Sequence, residues 1–229
     1  MRRRGRPGSG QPRARFFPAC PTCTQHRRRL SGGMRSAAGN DKGQTMQTKT
    51  IRVLFDEKAI AARNEEIAKA VAASEPRDLL VVAVLKGSFM FAADLIRALH
   101  RAGLEPQVEF VHMSSYREAT VSSGHVEILK DVESDVRGRD VLLVDDILES
   151  GRTLAFAKDL LMARGARTVK SAVLLEKPGK RAVRIDADYV GFECPDLFVV
   201  GYGMDVAHRY RQLPFVGVVE AEREDRKEQ

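Results

Sequence analysis

The sequence predicts an α/β fold, a parallel central sheet flanked by helices, and three observations carry that expectation. Near-continuous apolar runs such as 79–85 and 140–144 lack polar alternation, as strands do in a sheet covered on both faces. They alternate with segments of helical spacing, the pattern of strand–helix–strand units. The chain has 229 residues, 43% of them hydrophobic, which suits one ordinary core and not a second full domain. Tryptophan is absent and aromatics are few, so Val, Leu, Ile and Ala are expected to fill that core.

Order begins at about Ile51. Asp56 is placed to cap a helix reaching Glu75, with Ile60, Ile67 and Val71 on its apolar face and Pro76 stopping it. Strand 79–85 follows, then a Lys86-Gly87-Ser88 turn into a helix over 88–101 that Gly103 closes. Residues 107–113 read as the next strand. The stretch 114–137 is polar and contains Gly124, and the alternation His125-Val126-Glu127-Ile128 suits a hairpin. Strand 140–144 ends in Asp145-Asp146, and a short loop leads to a helix over 153–164, stopped by Gly165. Strands at 168–175, 189–192, 197–200 and 215–219 complete the body, and 223–229 form a charged tail.

The charge is unevenly distributed. Residues 1–46 hold eleven Arg or Lys and one Asp; taking that +10 from the overall +7 leaves −3 for residues 47–229. An acidic body argues against a nucleic-acid partner. The basic segment 1–46 has no apolar periodicity, so disorder is expected there. It is Arg-rich and acid-poor like a transit peptide but lacks an amphipathic repeat, and it lacks the apolar stretch of a secretory signal. Initiation at Met34 or Met46 is the other reading, and Met46, just before the first patterned sequence, is favoured. Cys20 and Cys23, with His26 behind them, have half the spacing of a zinc site; no second pair follows, and Cys194 reads as a small packed hydrophobe. No apolar run approaches the roughly 20 residues that cross a bilayer, so a cytoplasmic protein without a membrane partner is expected.

The chemistry concentrates after residue 144. In open α/β sheets, ligands bind beyond the carboxyl ends of the strands. The string VLLVDDILESGRT, 141–153, sends an apolar strand toward that edge and follows it with two carboxylates and a short polar loop. Gly151 lets backbone turn closely around an anion, and free amides with the Ser150 and Thr153 hydroxyls at a helix start can hold a phosphate. Asp145 and Asp146 suit ribose hydroxyls, or a Mg²⁺ ion with its waters. The plain alternative, residue by residue, is an ordinary turn at a helix N-terminus.

This string resembles the phosphoribosyl pyrophosphate signature of the type I phosphoribosyltransferases, most closely their hypoxanthine(-guanine) members. The resemblance extends over about 53–219 and implies that family's fold, a parallel sheet with a small hood, and a homo-oligomer, dimer or tetramer. It implies that Asp145 and Asp146 hold ribose hydroxyls and Mg²⁺. The loop Ser150, Gly151, Arg152 and Thr153 then lines the 5-phosphate site, and Ile147 is implied as a further substrate-binding residue. Glu149 falls where an acidic group, often Asp, acts near N7 of a purine as general base. Lys86 and Gly87 resemble a pyrophosphate loop that often carries a cis non-proline peptide; a solvent lysine on a strand-to-helix turn is the alternative. Ser115 and Tyr116 match the start of a loop that closes over the site.

The resemblance also implies a base pocket. Lys177 matches a lysine that donates to the purine O6; an ammonium only donates, so a 6-oxopurine is favoured over adenine. Phe198 matches the ring that stacks on the base, and Val199 the residue whose backbone reads its edge; as plain sequence, both are core residues of strand 197–200. In GYGMD, 201–205, Asp205 matches a further Mg²⁺ ligand, and Arg211 a cation facing pyrophosphate. The implied activity is purine salvage, transfer of the phosphoribosyl group to N9 of hypoxanthine or guanine. The rivals are a xanthine or pyrimidine enzyme of the same fold and an RNA-binding regulator, which the acidic body disfavours.

Overall fold

The structure, a computed structural model, describes residues 51–115 and 126–220. The basic extension, Cys20 and Cys23, Met34 and Met46, Tyr116 and the charged tail lie outside the described residues. In chain order the elements are β1 (Ile51–Phe55), α1 (Glu57–Ala73), β2 (Leu80–Leu85), α2 (Phe89–Arg101), β3 (Gln107–Ser115), β4 (Val126–Lys130), β5 (Asp140–Leu148), α3 (Arg152–Ala163), β6 (Thr168–Glu176), β7 (Tyr189–Glu193), β8 (Val199–Val200) and β9 (Val216–Val219).

Six strands form the main sheet in the order β4-β3-β2-β5-β6-β7, parallel except for β4, which pairs antiparallel with β3 at the edge. The strand period of two sorts the side chains onto two faces. Val81, Ala83, Leu142, Val144 and Leu174 pack with α1 and α2 through Ile60, Ile67, Phe91, Leu95 and Leu99. Leu80, Val82, Leu143 and Val173 pack with α3 through Leu154, Ala157 and Leu161. Helices thus cover both faces, as the unbroken apolar runs require.

Helix α1 starts where expected, since the Asp56 side chain accepts a hydrogen bond from the Ala59 amide at 2.8 Å. It ends at Ala73, where the Ser74 hydroxyl donates to the Val71 carbonyl (2.8 Å). Three features differ from the sequence expectation. Strand β5 runs to Leu148 because its parallel pairing with β6 continues through Asp145↔Val173 and Ile147↔Leu175; the two acids therefore stand on the strand, not in the loop after it. The segments at 197–200 and 215–219 belong to a second, three-stranded antiparallel sheet ordered β1-β9-β8. Its third member, β1, pairs Ile51 with Val219, a partner too distant to leave a local signal. This small sheet is the hood. Among the described residues no helix is long and apolar enough to cross a membrane.

Candidate active site

Strands β2, β5 and β6 end side by side, and the polar residues at their carboxyl ends form one site. On β5, Asp145 is only 7% exposed. Its Oδ1 accepts from the Asp146 amide at 2.9 Å, and Asp146 Oδ1 accepts from the Ile147 amide at 3.0 Å. Among the described residues, the second oxygen of each carboxylate takes no donor. Burial, and then the charge of Asp146 beside it, pushes the Asp145 carboxyl well above the usual carboxylate range. Hydroxyl donors or a hard cation relieve that cost. The Ile147 side chain packs against the core.

Beyond Leu148 the chain turns through Glu149 and Ser150 into Gly151, which sits at φ +80° as the N-cap of α3. A Cβ there would lie 2.6 Å from Ile185 Cγ2, so the turn needs glycine on two counts. Ser150 Oγ lies 3.4 Å from the Arg152 amide. Arg152 and Thr153 open the helix, and its first amides have no carbonyl of the helix to pair with, an arrangement suited to an anion.

The Leu85–Lys86 peptide is cis; sequence alone left a cis loop and an ordinary strand-to-helix turn both open in this segment. Lys86 is exposed, and Gly87 lies so close to β5 that a Cβ would stand 1.7 Å from Asp146 Oδ2. From the other side Gly203, at φ +101°, packs on the Gly87 carbonyl. Arg211 donates to the Gly203 carbonyl at 2.6 Å and pairs with Asp205 Oδ1 at 2.6 Å, while Asp205 Oδ2 accepts from the His208 amide at 2.7 Å. Asp205 and Arg211 are therefore one ion pair. Among the described residues no three acidic, His or Cys side chains converge as a cage for a metal.

At the end of β6, Lys177 is 6% exposed and its ammonium lies 3.8 Å from Glu149 Oε1. The Lys177 amide donates to the Leu148 carbonyl at 3.0 Å, which holds the two strand ends together. Phe198 is 62% exposed: its ring is a free face and not a core residue as plain strand sequence suggested. Val199 is buried and pairs with Val218 in the hood. Ser115 closes β3.

Sequence reasoning missed the turn after β6. Arg181 donates to the carbonyls of Leu148 (2.8 Å), Glu149 (2.7 Å) and Lys177 (3.2 Å), and to Glu176 Oε1 (2.5 Å). The next amides, of Ala182 and Val183, donate to the Ser150 carbonyl at 2.9 and 3.2 Å. One guanidinium thus fixes both the β5 loop and Lys177. Lys180 bridges Glu149 (3.6 Å) and Asp196 (2.5 Å). In sequence these residues read only as a polar turn.

Comparison with known proteins follows the same outline. The phosphoribosyl transferase domain family matches residues 52–207. The chain is 44% identical over 189 residues to the bifunctional protein TilS/HprT of Listeria innocua, covering 82% of this chain and 28% of that one. It therefore spans under a third of that relative's length. A hypoxanthine-guanine phosphoribosyltransferase of Bacillus subtilis is 45% identical over 170 residues, 73% of this chain and 92% of its own. Among solved structures, hypoxanthine phosphoribosyltransferase from Trypanosoma cruzi in complex with the product IMP superposes with a TM-score of 0.70 at 35% identity, covering 78% of this chain and 98% of that one.

Proposed function

The chain belongs to the phosphoribosyl transferase family, and from that premise we propose that it is a purine-salvage enzyme, a homo-oligomer that converts hypoxanthine to IMP. The phosphoribosyl group of phosphoribosyl pyrophosphate passes to N9 of the base, and pyrophosphate leaves; guanine gives GMP in the same way. The observation that carries the purine half is the buried Lys177 ammonium 3.8 Å from Glu149, at the end of the donor loop.

In the reaction N9 attacks C1′ of the donor as the bond from C1′ to the pyrophosphate oxygen breaks. Glu149 takes the proton that the purine gives up at N7. Charge builds on the sugar carbon as in other glycosyl transfers, so positioning and electrostatics supply most of the acceleration. Asp145 and Asp146 hold the ribose hydroxyls through their second carboxylate oxygens. The amides at the start of α3, with Ser150, Arg152 and Thr153, hold the 5-phosphate. Lys86, the Gly87 segment and Arg211 face the leaving group. Lys177 donates to O6, Phe198 stacks on the ring, and the Val199 backbone reads its edge. Ser115 and Tyr116 begin the closing loop, whose role is to exclude water from the donor.

The all-oxygen donor set suits Mg²⁺, which keeps waters and substrate phosphates beside one or two carboxylates. The three acids do not converge on one point. Asp145 with Asp146, and Asp205 separately, would each offer carboxylate to Mg²⁺ whose other ligands are waters and substrate phosphates. Mg²⁺ held there would neutralise leaving-group charge. Donor and product both carry phosphates that do not cross a bilayer, and on that ground we place the enzyme in the cytoplasm.

Mass spectrometry tests the reading. The purified protein, given phosphoribosyl pyrophosphate, Mg²⁺ and hypoxanthine, is expected to form IMP and pyrophosphate in equal amounts. Product from xanthine or a pyrimidine alone would transfer the reading to another branch of the fold, and no product from any base would end it.

A further inference from the structure

Lys180 has no role in the mechanism above, yet it joins two parts of the base pocket. It stands on the turn after β6, with its ammonium 3.6 Å from Glu149 Oε1 and 2.5 Å from Asp196 Oδ1. Asp196 lies two residues before Phe198. The bridge therefore runs from the loop after β5 to the segment that carries the stacking ring.

Three cations face Glu149. Lys177 reaches it from the end of β6 at 3.8 Å, and Lys180 from the following turn. Arg181 is committed to the carbonyls of Leu148, Glu149 and Lys177 and to the Glu176 carboxylate, so it orients the backbone and leaves the Glu149 carboxylate to the lysines. Once Lys177 donates to a purine O6, Lys180 is the ammonium still given over to Glu149. Asp196, and more weakly Glu149, raise the hold of Lys180 on its proton. An aspartate at 149 would be one methylene shorter and stand further from Lys180.

We infer that Lys180 is the positioning residue for Glu149: anchored by Asp196, it keeps the glutamate carboxylate aimed at the purine while Lys177 reads O6. The inference rests on the phosphoribosyltransferase reading of the site. Its test is the split between kcat and KM for hypoxanthine in the intact enzyme. Lys180→Met lowers kcat about tenfold, because the carboxylate loses the cation that aims it, while the donor KM stays within about twofold. Lys180→Arg restores most of the loss. In a Glu149→Asp background the same Lys180→Met change lowers kcat by less than about threefold, a coupling that a merely structural lysine would not show. An unchanged kcat in Lys180→Met, or a Lys180→Arg enzyme that behaves like Lys180→Met, overturns the inference while leaving the transferase reading standing. Failure of the unaltered protein to use hypoxanthine overturns both.

Discussion

The α-carbon of Gly203 rests on the carbonyl oxygen of Gly87, so closely that a Cβ at 203 would lie 2.1 Å from that oxygen. The contact seats the Asp205–Arg211 ion pair beside the Lys86-Gly87 turn. Gly203 also sits at φ +101°, so space and backbone both exclude a side chain. Gly203→Ala is expected to destabilise the fold by about 1–3 kcal/mol in urea denaturation. In the reverse reaction it should raise the KM for pyrophosphate more than that for the nucleotide.

Glu149→Gln keeps the shape of the side chain and removes its basicity. Turnover should fall about 100- to 1000-fold, with the donor KM nearly unchanged, in steady-state kinetics. Turnover equal to that of the unaltered enzyme would remove Glu149 from the mechanism.

Arg181→Met should act on both halves of the site together. It leaves the carbonyls of Leu148, Glu149 and Lys177 without their shared donor and the Glu176 carboxylate without its ion-pair partner. A stability loss of about 2–4 kcal/mol is expected. The KM values for donor and for base should both rise, because the Glu149 loop and Lys177 lose the same brace.

Asp140, at the far end of β5, sets part of the acid stability. Burial pushes its carboxyl upward, but the Arg77 amide (2.7 Å), the Thr168 hydroxyl (2.7 Å) and the Arg167 guanidinium together outweigh burial and lower it. A carboxyl lowered in the folded state adds stability that is full above its unfolded value, near pH 4, and is lost as pH falls through its folded value. Asp140→Asn is expected to cost about 2 kcal/mol at pH 7. It should also flatten the loss of stability in denaturant titrations run from pH 5 down to pH 3.

The main sheet was legible because its strands are buried on both faces and announce themselves as apolar runs, with Asp56, Gly103 and Gly165 marking helix ends. The donor loop was legible because its residues are contiguous. The base pocket was only partly so. Lys177 and Phe198 stand out by resemblance, but the exposure of Phe198 depends on a hood strand, β8, only two residues long. Strand β1 escaped because its partner in the hood sheet is β9, at the other end of the body. Arg181, Lys180 and Asp196 escaped for a related reason: they act across turns, through contacts that no periodicity or local motif encodes.

If the buried Lys177 ammonium selects a 6-oxopurine, the ratio of kcat/KM for hypoxanthine to that for adenine reports the selection. A donor-only lysine facing an amino group leaves both without a partner, a mismatch that costs on the order of 1000-fold or more. A ratio of that size is expected in the unaltered enzyme, with its collapse in Lys177→Met. Comparable use of adenine, or a preference for hypoxanthine that survives Lys177→Met, would contradict it.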